Sequence, residues 1–292
     1  MTPNRPEAVE IDQSRQPVVL QVIPSLVTGG VERGSIDLCA ALVQGGWRAI
    51  VASAGGPMVA ELLACGGEHI QLPVCNKRSL NLSANVLQLS SIITEHSVDI
   101  VHARSRAPAW SACAAARLTG RHFITTFHST YTTVPSRAEY VYSSVLAAGK
   151  RVIAISEFVG NYVAQNYHVS ADRLRIVPLG IDLERFNAST VSGAKIQALA
   201  RQWHLAEGKP VIMLPGRLTD WKGHKELIEA AAALAARNFQ IVFVGSGSQS
   251  YRSELLAQAQ KAGLAASTHI VGECTDMPTA YMLADVVVAP SS

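Results

Sequence analysis

Charge is scarce in this chain. Of its 292 residues only 16% are Asp, Glu, Lys or Arg, against 48% hydrophobic, which excludes a disordered polyelectrolyte and supplies a sizeable core. An excess of one sign is missing too. The 25 Lys+Arg and 22 Asp+Glu leave a net charge of +3. That is too mild for a nucleic-acid partner and suits a small anionic ligand or contact with an anionic membrane surface. No apolar run reaches the roughly 18 residues of a membrane span. The opening MTPNRPEAVEIDQSRQ is polar and lacks the apolar centre of a secretion signal. The five cysteines (Cys39, Cys65, Cys75, Cys113, Cys274) form no CxxC and no Cys/His cluster. A disulfide framework and a zinc site are therefore not indicated, and a reducing, cytoplasmic compartment is expected. GxGxxG is absent, which argues against a nicotinamide oxidoreductase.

What the chain does have is alternation. Strand-like runs at 18–23, 49–53, 69–72, 99–102, 122–126, 151–155 and from Leu174 are separated by helical segments. Those segments lie at Val31–Val43, Met58–Cys65, Leu82–His96, after Pro108, Val134–Ala148 and Ser156–Asn166, with a polar loop at Asn76–Ser79. Such alternation predicts a parallel α/β sheet, whose ligands bind at the carboxyl ends of the strands. That rule singles out Gly29-Gly30, the segment His102, Arg104, Arg106, and His128. Gly29-Gly30 lies between a strand and a helix, where it either lets backbone approach a phosphate or simply turns tightly. Glu32 and Arg33 either line a cleft or cap and pair on the helix. A histidine at a strand end is either a satisfied structural residue or a group for proton handling and hydroxyl binding.

Alternation resumes near Lys209, with strands at Val211–Leu214, Gln240–Val244, His269–Val271 and a buried one at Asp285–Ala289. Four strands fall short of the roughly six of a full dinucleotide-type domain, so the second domain is expected to be incomplete. Residues 187–208, with a helix near Ala194–Trp203, read as a linker, and residues 1–16 as disordered. The most informative stretch runs from Leu214 to Ala230 and carries PGRLTDWKGHKELIEA. A strand breaks at Pro215-Gly216, a polar loop holds Arg217 and Lys222, and Gly223 opens an amphipathic helix. Two cations on such a loop are either solvated surface charge or a diphosphate clamp, with Arg as a planar fork and Lys as a mobile point charge.

This stretch closely resembles the GR…KG…L…A segment of retaining glycosyltransferases of the GT-B fold, in the glycogen synthase and mannosyltransferase-like group (glycosyltransferase family 4 type). PLGIDLERF (with Leu179 where the family commonly has Asn), ADVVVAPSS, the GG-x-ER loop, TTFHST and VGSG resemble further family segments in the right order. The resemblance implies two Rossmann-like parallel-sheet domains facing a cleft: an acceptor-binding domain at 17–186 and a nucleotide-sugar-binding domain, here partial, at 209–292. It implies transfer of a sugar from a UDP- or GDP-sugar to a hydroxyl of a glycan or lipid-linked acceptor, with retention, no metal and no cofactor. On that pattern Arg217, Lys222 and His128 are catalytic. Gly29, Gly30, Gly216, Gly245, Gly247, Cys274 and Thr275 bind the donor. His102, Arg104 and Arg106 bind the acceptor, with the arginines directed at an anionic group. The family's common uses suggest lipopolysaccharide or exopolysaccharide assembly at the inner face of the membrane. The family's Glu-x7-Glu segment, which follows P-S, does not occur here, so a truncated chain is expected. Its rivals are an inactive binding remnant and a nucleotide-sugar epimerase of the same fold.

Overall fold

The computed structural model describes residues 15–74, 80–131, 136–234 and 237–291. Most of the segment expected to be disordered, Cys75, the loop Asn76–Ser79 and the start of the helix expected at Val134 lie outside the described residues. The chain divides into two compact units, Met1–Gly180 and Ile181–Ser292.

In the first unit, strands β1 (Val18–Val22), β2 (Arg48–Ser53), β3 (Glu68–Gln71), β4 (Ile100–Ala103), β5 (His122–Phe127), β6 (Arg151–Ala154) and β7 (Leu174–Ile176) alternate with helices. The helices are α1 (Gly30–Gln44), α2 (Val59–Ala64), α3 (Leu80–Glu95), α4 (Arg106–Leu118), α5 (Arg137–Ser144) and α6 (Glu157–Tyr167). The strands form one sheet in the order β3-β2-β1-β4-β5-β6-β7, parallel at every pairing. The order reverses at β1, whose Gln21 lies opposite His102 of β4. At such a reversal the loops after the two strands diverge to opposite sides of the sheet and leave a crevice between them.

Every residue of β1 is buried, as expected for a strand covered on both faces. The period of two shows in β2. Ile50 and Ala52 join a cluster with Leu89 and Ile93 of α3 and Ala109 and Ala112 of α4. Ala49 and Val51 join Ile36 and Cys39 of α1 and Leu62 of α2 on the opposite face. The small residues of α4 let it lie close to the sheet, with Ala109, Ala112, Ala115 and Ala116 fully buried.

The second unit carries β8 (Val211–Pro215), β9 (Gln240–Val244), β10 (Thr268–Gly272) and β11 (Val286–Val287), with α7 (Gly193–Gln202), α8 (His224–Ala232), α9 (Gln249–Lys261) and α10 (Met277–Leu283). Among the described residues the sheet is four-stranded and parallel, in the order β10-β9-β8-β11. Leu214, Ile241 and Phe243 face α8 and α9. Val211, Met213, Val242 and Val244 face Trp203 and α10. Residues 187–208, read from the sequence as a linker, fall within this unit, and Trp203 is part of its core.

One expectation is corrected. The strand predicted as buried at Asp285–Ala289 is short, and Val286 and Val287 are 53% and 44% exposed. The reason is position: β11 pairs only with β8 and forms the sheet edge among the described residues. Apolar composition alone does not separate an edge strand from a central one.

Candidate functional site

The strand ends of the second unit are held together through backbone. Gly216 donates its N–H to Val244 (2.8 Å), Leu218 to Ser246 (2.8 Å) and Gly245 to Gly272 (2.7 Å), so the loops after β8, β9 and β10 form one surface. Gly245 sits at φ +154°, and a Cβ there would fall on the carbonyl of Gly216. A Cβ on Gly247 would lie 2.5 Å from Leu218 Cβ, the residue it pairs with in a parallel bridge. The loop after β8 continues into a short 3-10 turn, Asp220–Lys222. It ends at Gly223, whose φ of +78° starts α8 and which lies against Pro290.

On this surface Arg217 is exposed and Lys222 half-buried. Lys222 lies along Gly216, with its Cδ 3.5 Å from where a Cβ would be, and its Nζ is 4.3 Å from the centroid of the Trp221 ring. Neither cation makes a hydrogen bond or an ion pair among the described residues. The neighbouring Lys225, in contrast, is tied to Asp220 and Glu254 at 2.8 Å each. The loop's one nearby carboxylate is thus engaged away from Arg217 and Lys222, and two cations remain beside exposed loop backbone. Such an arrangement offers charge-assisted hydrogen bonds to phosphate oxygens.

The remaining donor candidates of this unit lie close by. Glu273 follows β10 and accepts from Ser246 Oγ at 2.6 Å. Cys274 is half-buried against the core, and burial raises its thiol pKa. The Thr275 carbonyl accepts a long bond from Arg185 (3.4 Å), and Asp276 caps α10. Arg185, Lys195, Thr275 and Asp276 line a cavity of about 280 Å³ within the unit. His224 was not singled out by sequence reasoning. It is fully buried, edge-on to Phe243 at 5.0 Å, and burial lowers its pKa.

In the first unit the candidates converge on the reversal at β1. Gly29 is the residue before α1, and the Glu32 carboxylate folds back over it. Arg33 pairs with Glu61 of α2 and lies 4.0 Å from Asp37, so of the two readings left open for it pairing is observed. The loop before α1 is pinned by Leu26 N–H to Gly55 O (2.8 Å) and Met58 N–H to Leu26 O (3.0 Å). His102 is 2% exposed, and its Nε2 is 2.8 Å from Thr126 Oγ1. Burial, then the charge of Arg104, then that of His128 push its pKa well below the imidazole range. His128 is lowered to about 4, first by burial and then by Arg104. Both rings are therefore neutral at pH 7. The Arg104 charge acts on both rings, which puts His102 and His128 in its neighbourhood.

The two arginines have separate surroundings. Arg106 has its Cζ 4.1 Å from the centroid of the Tyr131 ring and 5.2 Å from that of Tyr142, and it donates to Ser143 Oγ at 3.2 Å. Arg104 is 4% exposed and lies against Gly34 of α1. Its pKa is lowered to about 10 by burial, with Asp37 acting in the opposite direction. Gly34 was not visible as a site residue in the sequence. It reads as one more helix position, and only tertiary packing shows that its missing side chain makes room for Arg104.

The profile described as Glycosyltransferase Family 4 matches residues 28–185, more than half of the chain. The chain belongs to glycosyltransferase family 4. A second profile, Glycosyl transferases group 1, matches residues 195–292. A glycosyltransferase from Rickettsia africae ESF-5 superposes with a TM-score of 0.82 at 31% identity, covering 94% of this chain and 73% of that one. Anabaena Alr3699/HepE, solved in complex with UDP and glucose, superposes at 0.80 with 23% identity, over 94% and 74%. The fold is thus GT-B. Among curated sequences the chain is 31% identical over 159 residues to a D-inositol 3-phosphate glycosyltransferase of Salinispora arenicola. That match covers 50% of this chain and 36% of the relative. A putative glycosyltransferase, EpsD of Bacillus subtilis, is 34% identical over 119 residues, 40% of this chain and 30% of the relative.

Proposed function

We propose that this family member transfers a sugar from a nucleoside diphosphate donor, a UDP- or GDP-sugar, to a hydroxyl of a glycan or lipid-linked acceptor, with retention at the anomeric carbon. The observation that carries the reading is the pair Arg217 and Lys222. Both are uncompensated by any carboxylate among the described residues, on a loop whose shape is fixed by Gly216, Gly245 and Gly247. As a donor loses its sugar, negative charge grows on the leaving diphosphate. Cations already in place stabilise that charge without reorganisation. On this reading the three backbone-linked loops would receive the ribose and base, with Cys274 and Thr275 beside them. In the first unit Gly29, Gly30, His102 and His128 supply neutral hydrogen-bonding groups suited to sugar hydroxyls. The UDP and glucose in the HepE complex support the donor class. The neighbour described as WaaG, involved in lipopolysaccharide biosynthesis, supports cell-surface polysaccharide as the setting, although at 17% identity its likeness rests on fold. Among the described residues no helix is long and apolar enough to cross a membrane. Independently of that, the proposed reading puts a lipid-carried acceptor at the membrane's inner face.

The test is calorimetric titration of the chain with UDP and with GDP, repeated on the double variant Arg217→Ala, Lys222→Ala. Binding of one nucleotide that disappears in the double variant supports the reading and identifies the base. Nucleotide binding unchanged by the double variant would overturn the assignment of these residues.

A further inference from the structure

We propose that Arg104 is the recognition residue for a phosphate group on the substrate held at the strand ends of the first unit. The proposal rests on the reading of this unit as a substrate-binding half of a sugar transferase, and it assigns the anion to one side chain.

The two arginines of HARSR look equivalent in the sequence, but their surroundings separate them. Arg106 is occupied by two tyrosine rings and the Ser143 hydroxyl. Arg104 is buried, its Nε is shielded from solvent without an acceptor, and its guanidinium makes no hydrogen bond or ion pair among the described residues. Burying a cation without hydrogen-bond partners is strongly unfavourable. In a folded protein such an arrangement points to an acceptor that arrives with a ligand.

Three features indicate what kind of acceptor. The guanidinium lies against the second turn of α1, with Nη2 2.8 Å from where a Gly34 Cβ would be, so the helix leaves space for it. A planar fork of donors matches phosphate oxygens pairwise. Among the described residues the titratable groups coupled to it are His102 and His128, both neutral at pH 7, and Asp37, whose charge attracts it. His128 Nε2 is likewise buried and without a partner, which adds a second polar group to the same neighbourhood. A phosphate in this place would satisfy Arg104 and gain from the N-terminal half of a 15-residue helix. Two sources share this chemistry, a phosphate on the acceptor and the diphosphate of the donor.

The experiment is a titration of the full chain with sodium phosphate, and separately with UDP, followed by the Arg104 side-chain Nε–H and Gly34 amide resonances in 15N-edited spectra. These local reporters separate the site from Arg217 and Lys222. Phosphate is expected to shift both resonances. Arg104→Met is expected to weaken that binding roughly ten- to a hundredfold, the range for losing a charged hydrogen-bonded pair. Arg104→Lys, which keeps a point charge but not the fork, should fall between. Should Arg104→Met not fold, Gly34→Ala decides: it keeps the charge, favours the helix, and should weaken phosphate several-fold by displacing the guanidinium. If Arg104→Met also weakens UDP, the anion is the donor's diphosphate. If UDP is untouched while phosphate is lost, the anion belongs to the acceptor. Either result supports the site. Phosphate that leaves both resonances unmoved, or that binds folded Arg104→Met and Gly34→Ala as tightly as the parent chain, overturns it. A UDP affinity indifferent to Arg217→Ala with Lys222→Ala would instead sink the donor reading and leave the Arg104 result standing.

Discussion

The strand ends of the two units treat cationic side chains in opposite ways. In the second unit the backbone is fixed, with three loops hydrogen-bonded to one another and glycines where any side chain would collide, while Arg217 is exposed and Lys222 only half-buried. In the first unit the cation itself is fixed. Arg104 is buried against α1, and two histidines beside it are held neutral. An exposed charge costs little to keep and is weakened by solvent screening, so it suits a ligand carrying several charges. A buried charge is costly to keep and strongly felt, so it suits one specific group. On the proposed readings, the same element pattern, a strand running into a helix, would serve two kinds of anion chemistry, separated by the burial of the cation.

The largest effect expected from breaking this contrast is at Gly245. Gly245→Ala places a Cβ on the Gly216 carbonyl in a backbone conformation that L side chains rarely adopt. It should cost about 3 kcal/mol or more, read as a fall in the urea midpoint and loss of nucleotide binding. Gly30→Ala is the control: nothing lies within 4 Å of its Cβ position, and stability should stay within about 0.5 kcal/mol. Next in size is the Arg217→Ala, Lys222→Ala pair, expected to reduce nucleotide affinity at least a hundredfold, or about 2.7 kcal/mol. Its melting temperature should be unchanged, because neither side chain holds the fold together.

The histidines give a pH dependence. His128 has a folded pKa of about 4, below its unfolded value, so the unfolded chain takes up the proton first. Stability from this group is complete above about pH 6.5 and is lost as pH falls toward 4, by up to about 1.4 kcal/mol per pH unit. Urea unfolding at pH 7 and pH 5 measures it, and His128→Asn should flatten the slope. A comparably steep slope in the variant would show that other groups carry it. The smallest effect separates the two arginines. Arg106→Met should lower stability by about 1 kcal/mol, through its ring contacts and the bond to Ser143. Arg104→Met should leave stability unchanged or raise it, because it removes a buried charge without partners. Equal losses in chemical denaturation would erase the distinction between them.

Much of the fold could be read in the residues. Strand runs such as Val18–Ile23 and Gln240–Val244 are too apolar and β-branched for a surface, and the helical segments between them carry period-3.6 faces. The parallel α/β class and the strand-end positions of Gly29, His102, His128 and Arg217 follow from that alternation. The asymmetric role of Arg104 and Arg106 was not legible. They lie two residues apart, and which of them meets a tyrosine depends on where Tyr131 and Tyr142, distant in sequence, return. Gly34 was missed for the same reason: a residue needed for the space it leaves empty has no local signature. That the residues of β11 are exposed rather than buried could not be read from composition, because Asp285–Ala289 has the composition of a central strand.

The sequence by itself determined the element order, the parallel sheets and the chemical kinds of residue delivered to the strand ends, because these depend on local periodicity and on the rule that parallel strands present their carboxyl ends to ligand; the family was legible through the resemblance of its motifs. Only the tertiary structure decided which cations are buried and which are open, which histidines are neutral, and which glycines are indispensable. Burial and close approach are properties of neighbours brought together across the chain, and the electrostatic consequences of a residue follow its surroundings more than its identity.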